Sequence, residues 1–173
     1  NYLHKSISIT MRTAGNDAEL AIVVLFTEGI ISDKTQIETV EYPYKTGENI
    51  KMDNTILIKL KANVVIDFKK LERHFYTTSS CGVCGKASLE ALNLNKAPVI
   101  QTKTPIISAE LIHGLPRSLK ERQAVFSSTG GLHAAALFDD QCNLLDLKED
   151  VGRHNAVDKL IGAQIIKGNV PLH

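Results

Sequence analysis

Apolar and polar residues alternate over residues 3–11, with Ile7, Ile9 and Met11 on one side and Ser6, Ser8 and Thr10 on the other, which predicts a half-buried strand. Arg12-Thr13-Ala14-Gly15 turns the chain. Asn16 is placed to cap a helix with Glu19 at the third helical position, a variant of the capping box. That helix carries Leu20-Ala21-Ile22-Val23-Val24-Leu25-Phe26, is apolar on nearly every side, and is expected between layers with a stop at Gly29. Glu28 puts an acid at the negative end of the helix dipole, either solvated or paired with a base. Residues 38–44 and 55–60 read as strands, separated by a polar segment containing a glycine. Asp67 is placed to cap a short helix whose Phe68, Leu71 and Phe75 fall at helical spacing as core residues.

Further along, a loop at residues 77–86 holds two cysteines and leads into a helix ending near Asn93, after which Asn95-Lys96-Ala97-Pro98 breaks the chain. Ser108 is expected to cap a helix over residues 109–114. Pro116, favoured in a first turn, opens a second helix carrying Leu119, Arg122, Gln123, Val125 and Phe126. Gly130-Gly131 enters a small-residue run ending at Leu137-Phe138, which suggests a packed element with close backbone approach. Asp139-Asp140 forms a turn and residues 143–147 a strand. Residues 149–161 are a strand–loop–helix transition, continued at helical spacing by Gln164 and Ile165 and ended by Gly168.

Composition alters this picture little. The 173 residues suffice for one core or two small subdomains, taken as an α+β part over 1–76 and a second part over 77–173. A formal net charge of +1 gives no reason to expect nucleic acid or an anionic membrane as partner, and no apolar run approaches spanning length. Three cysteines, two of them in one C-x-x-C, are no disulfide framework and fit a reducing cytoplasm. A start at Asn1 and a stop at His173 just after a predicted helix suggest a piece of a longer protein, with the C-terminal part truncated.

The chemistry begins with Cys81 and Cys84, set among glycines with Lys86 beside them and small hydroxyl residues before them. At the start of a helix, free N–H groups and the positive dipole end favour the thiolate, the form that attacks, carries sulfur or binds metal. Two small buried thiols are the plain alternative. One C-x-x-C supplies half of a structural zinc site, which His133, His154 or Cys142 would have to complete, none at finger-like spacing. Zinc-deaminase chemistry is disfavoured, because alanine follows His133 where the proton-shuttling glutamate would stand and Ser80 precedes Cys81 where proline would. Disulfide exchange of the thioredoxin type lacks its early strand and aromatic residue. Gly152-Arg153-His154-Asn155 places N–H groups, a guanidinium and an imidazole together, an anion site suited to phosphate or carboxylate. Asp150 and Asp158 extend that run; the plain alternative is a structural αβ turn with a core histidine, which is the better reading of His154 taken alone, and His133 beside Gly130-Gly131 is either another such histidine or, less favoured, a proton donor or orienting group.

Three stretches together carry a resemblance: Ser80-Cys81-Gly82-Val83-Cys84-Gly85-Lys86, Thr129-Gly130-Gly131-Leu132-His133-Ala134-Ala135, and Glu149-Asp150-Val151-Gly152-Arg153-His154-Asn155-Ala156-Val157-Asp158-Lys159. With Met11-Arg12-Thr13 and Thr27-Glu28-Gly29-Ile30, the chain closely resembles the formate dehydrogenase accessory sulfurtransferases (FdhD) over essentially its whole length. The resemblance implies an α/β class, a three-layer α/β/α, cytidine-deaminase-like mixed sheet with a smaller N-terminal α+β part and no deaminase metal site. It implies a sulfurtransferase that takes persulfide sulfur from a cysteine desulfurase and passes it to the molybdenum bis-guanine-dinucleotide cofactor of formate dehydrogenase. Cys81 matches the family's persulfide cysteine and Cys84 its relay partner. Thr129, Gly130, Gly131, His133, Gly152, Arg153, His154 and Asn155 would face the guanine-nucleotide moiety. A cytoplasmic homodimer without a structural metal is expected. The alternative is a cofactor-binding scaffold whose C-x-x-C holds zinc structurally; a dithiol oxidoreductase is the third reading. Ala14 and Val23-Val24 depart from the family's proline and glycine-phenylalanine, which points to altered packing at the first helix.

Overall fold

The computed structural model describes residues 5–43, 54–66 and 106–172. Among these residues four helices and four strands follow in order: α1 (Asp17–Thr27), a 3-10 turn (Lys34–Gln36), β1 (Ile37–Glu41), β2 (Leu57–Leu60), α2 (Ala109–Arg122), α3 (Ala124–Thr129), β3 (His133–Phe138), β4 (Leu144–Asp150) and α4 (Arg153–Lys167). The class is mixed α/β. Among the described residues the strands form two separate antiparallel pairs, β1 with β2 and β3 with β4.

α1 is the buried helix its apolar run predicts. Leu20, Ile22, Val23 and Leu25 are buried, and Ile22, Val23 and Leu25 join Ile31 and Ile165 in one core cluster. Each such side chain contributes about 1.5–3 kcal/mol by leaving water. Gly29 ends α1 at φ 68°, with Gly29 N donating to Phe26 O and Ile30 N to Leu25 O. That double bond is a Schellman closure, and Gly168 ends α4 the same way through Gly168 N to Ile165 O and Asn169 N to Gln164 O.

α1 and α4 cross closely. A Cβ on Gly162 would lie 1.9 Å from Glu19 O, so only a bare backbone fits at that crossing. α4 packs also on β3 and β4. From β4, Asp146 and Asp150 reach α4, where Gln164, Lys167, Asn155 and Lys159 meet them, while Lys148 stands toward Glu19 of α1. This face of the strand is polar and laced to the helix by charge-assisted bonds.

Four expectations change. Residues 5–11 form no strand; Ile9 is 95% and Met11 80% exposed, and of these apolar residues Ile7 packs on the core, so among the described residues the alternation has no partner strand to use it. Asn16 does not cap α1 with its side chain: its backbone is left-handed, and its amide nitrogen donates to Glu19 Oε1 at 2.8 Å instead. Ser108 caps α2 as expected, accepting from Leu111 N at 3.3 Å, but the helix runs on through Gly114 and Pro116. Pro116 therefore sits mid-helix, where its ring removes the bond to the carbonyl four residues back without ending the helix. The break comes at buried Gln123, and α3 carries Val125 and Phe126. The expected helix at Asp67, Phe68, Leu71 and Phe75, the thiol loop with its helix to Asn93, the break at 95–98, and the beginning of the alternating stretch lie outside the described residues.

Candidate functional site

β3 and β4 are paired with His133 opposite Asp150, and the segments flanking that end of the hairpin are the two glycine-bearing stretches. The Thr129-Gly130-Gly131 loop enters β3 there, and Gly152-Arg153-His154 leaves β4 into α4. Seven of the expected nucleotide-facing residues, Thr129, Gly130, Gly131, His133, Gly152, Arg153 and His154, are thus gathered at one end of one hairpin. Residues opposite in an antiparallel pair leave the sheet on the same face, so His133 stands on the face that α4 covers.

The corner is held from within. Asp150 is fully buried and accepts four bonds or contacts: Thr13 N at 3.0 Å and Lys159 Nζ at 2.7 Å on Oδ2, Gly152 N at 2.8 Å and Asn155 Nδ2 at 3.0 Å on Oδ1. Burial is the largest influence on this carboxyl and raises its pKa. The bonds from Lys159, Gly152 and Asn155 together outweigh it, and the net position is below the ordinary 3.8. Lys159 also donates to Thr13 O at 2.8 Å, Asn155 to Met11 O at 2.8 Å, and Val151 N to the Thr13 hydroxyl at 2.9 Å. Arg12 pairs with Asp17 through Nε at 2.6 Å and Nη2 at 2.7 Å. Met11-Arg12-Thr13 and the 150–159 run, far apart in sequence, are therefore one strapped unit.

This divides the run by helix face. Asn155 and Lys159 are one turn apart and turned inward, 4% and 1% exposed. Arg153 is exposed, and His154 and Asp158 are half-buried on the same turn-to-turn spacing. Asn155 has its amide nitrogen committed to Met11 and Asp150, so whatever it contributes to a ligand passes through the corner it holds. No side chain caps α4, no acid stands in its first turn, and Arg153 and His154 begin it. Their N–H groups have no intrahelical acceptor, so the start of α4 offers donors beside the Arg153 guanidinium. Asp158 is pushed above the ordinary carboxyl value, first by burial, with the nearby His154 charge pulling partly back.

On the other wall, Gly130 is left-handed at φ 68° and its N–H closes α3 on Phe126 O at 2.7 Å. The Thr129 and Ser128 hydroxyls donate back to Val125 O at 2.9 Å each, leaving oxygen lone pairs outward. A Cβ on Gly131 would meet nothing nearer than Thr129 O at 3.9 Å, and its φ is not in the positive range. Neither crowding nor strain among the described residues asks for glycine there, and its backbone is left open.

Two residues escaped the sequence reading. Glu149 caps α3, accepting Val125 N at 3.0 Å and Phe126 N at 2.8 Å, and Lys159 completes the buried pair. Lys159 was findable: it shares a helix face with Ala156, Leu160 and Ala163, where a charge must be paired. Cys81 and Cys84 lie outside the described residues. An open concavity lies elsewhere, at the hairpin's opposite end between Leu137, Leu145, Gln164 and the segment after α4. It brings together no acid–base or nucleophilic set, so the polar corner is the better candidate. No helix among the described residues is long and apolar enough to cross a membrane.

Comparison with known proteins places the chain. The model of the FdhD/NarQ family matches residues 1–171. The sulfur carrier protein FdhD of Streptomyces avermitilis is 43% identical over 170 residues, covering 97% of this chain and 60% of that protein. Its counterpart in Sulfurisphaera tokodaii is 41% identical over 167 residues, covering 96% of this chain and 58% of that one. The chain thus spans about 60% of the length of these curated relatives. A crystal structure of a candidate formate dehydrogenase accessory protein from Desulfotalea psychrophila superposes with a TM-score of 0.57 at 20% identity, over 88% of this chain and 51% of that one, which bears on the fold alone. With a family model matching residues 1–171 and relatives above 40% identity across nearly the whole of this chain, the chain belongs to the FdhD/NarQ family.

Proposed function

We propose that this chain is the part of a sulfur carrier that presents a guanine-nucleotide-bearing cofactor to a persulfide. The observation that carries the reading is the meeting of the Thr129-Gly130-Gly131 loop, His133 and the Gly152-Arg153-His154 corner at one end of the β3–β4 hairpin. Bare glycine backbone, free helix N–H groups, a guanidinium and an imidazole are the donors a diphosphate needs. The cofactor is cargo here, the molybdenum bis-guanine-dinucleotide of formate dehydrogenase, and these groups would hold its phosphates.

Cys81 takes the sulfur in this reading. Its thiolate attacks the outer sulfur of a cysteine desulfurase persulfide; the new S–S bond forms as the desulfurase thiolate leaves, with no net oxidation. Cys84 relays by the same exchange. The activity is that of a sulfurtransferase, served by a cysteine desulfurase and a formate dehydrogenase, in a cytoplasmic homodimer. A deaminase-like layering belongs to the same proposal. It is supported locally, with α4 on one face of β3–β4 and α3 held by Glu149 from β4.

Titration with guanosine diphosphate tests the cofactor half. The unmodified protein is expected to bind it, Arg153→Ala to bind about tenfold or more weakly, as loss of a charge-assisted contact implies, and Gly131→Ala to weaken binding without loss of stability. Equal affinity in all three proteins refutes the placement.

A further inference from the structure

We infer that Glu149 and Asp150, consecutive at the end of β4, act as a two-pronged positioning device that fixes the spacing between the two walls of the nucleotide site. The inference rests on the nucleotide reading above for its purpose, and on geometry for its form. Successive residues of a strand point to opposite faces. Glu149 takes one face and spends both carboxylate oxygens on α3, on Val125 N at 3.0 Å and Phe126 N at 2.8 Å. Asp150 takes the other face and spends both oxygens on the opposite wall, on Gly152 N and Asn155 Nδ2 with one and Thr13 N and Lys159 Nζ with the other.

α3 is only six residues long and its own N-cap, Gln123, makes no side-chain bond to it. Its start is therefore defined by a residue 24 positions later in the chain. Its far end is Thr129, whose C-cap Gly130 opens the glycine loop. One turn and a half of helix transmits the position of Glu149 to Gly130-Gly131 almost rigidly. Asp150 does the same for Gly152-Arg153-His154 with no intervening helix. Because the two acids are joined by a single peptide bond, the walls they hold are fixed to each other through one strand, the kind of rigid support that a precise binding site requires. Neither acid touches the ligand. A carboxylate facing a phosphate would repel it, and here both spend their oxygens on N–H donors, with Lys159 pairing the charge of Asp150.

The test compares Glu149→Ala and Glu149→Gln with the unmodified protein in guanosine diphosphate affinity and in amide hydrogen exchange over residues 124–133. A core variant remote from the site, Ile22→Val, controls for loss of stability alone. Glu149→Ala is expected to lose about tenfold or more in affinity and to exchange faster at residues 125–131. Glu149→Gln, which keeps one acceptor, is expected to recover part of both, and Ile22→Val to keep the affinity. Affinity within twofold of unmodified in Glu149→Ala, or an equal loss in Ile22→Val, overturns the device while leaving the nucleotide reading intact. No binding by the unmodified protein overturns the nucleotide reading and, with it, this purpose for the acids.

Discussion

Lys159 Nζ lies 2.7 Å from Asp150 Oδ2, with the two side chains 1% and 0% exposed. The ammonium also holds Thr13 O, so the pair ties the N-terminal segment to the corner. Removing one partner strands the other charge in the interior, at a cost of about 3–5 kcal/mol. Lys159→Met is expected to lose stability on that scale in urea unfolding, and Asp150→Asn with Lys159→Met to recover part of it, since the stranded charge is gone.

The same carboxyl sets an acid limit. Asp150 is held below 3.8 in the folded protein, and Asp146 likewise, where burial pulls upward and the Lys167 bond with the Lys148 and Lys167 charges pull down harder. A depressed folded pKa means the unfolded chain binds the proton first. The stabilisation is therefore complete above the unfolded carboxyl range and disappears as pH falls below about 4 through the folded values. Thermal unfolding measured from pH 6 to pH 2.5 is expected to show a steep loss below pH 4, shallower in Lys159→Met.

Gly162 faces Glu19 across the α1–α4 crossing, where a methyl would sit 1.9 Å from a carbonyl oxygen and 2.6 Å from its carbon. The obstacle is backbone, so the helices themselves must separate. Overpacking of this kind outweighs the gain of up to about 1 kcal/mol from replacing a helical glycine. Gly162→Ala is expected to lose about 2 kcal/mol or more, read as a drop of about 4–8 °C in Tm.

Asp158 runs the other way. Its folded pKa is raised, chiefly by burial, so at neutral pH the carboxylate opposes folding, and the penalty fades as pH falls toward the ordinary value. Asp158→Asn is expected to raise Tm at pH 7 by about 1–3 °C, with the gain shrinking at pH 4. An acid kept half-buried at a stability cost beside His154 is a candidate for function.

Much of this was legible in the chain. The glycine stops at Gly29 and Gly168, the Ser108 cap, the turn at Asp139-Asp140 and the turn into α4 follow from local rules, because each is settled within a few residues. What was not legible depends on contacts between distant segments. Residues 5–11 alternate like a strand, but no described strand lies beside them. The 150–159 run reads as one chemical motif, yet it splits by helix face because Met11 and Thr13 dock on only one side of α4. Pro116 reads as a helix start, and α2 absorbs it eight residues in. Gly162 did carry a signal, since glycine inside a helix usually marks a close approach.

The central claim is that Cys81 carries sulfur, and mass spectrometry of the intact protein and its peptides after incubation with a cysteine desulfurase and cysteine measures it directly. The account predicts one added sulfur, about 32 mass units, on the peptide holding Cys81 and Cys84, reversible by reductant and absent in Cys81→Ala. The same added sulfur on Cys81→Ala, or none on the unmodified protein while stoichiometric zinc is bound by its thiols, would contradict it.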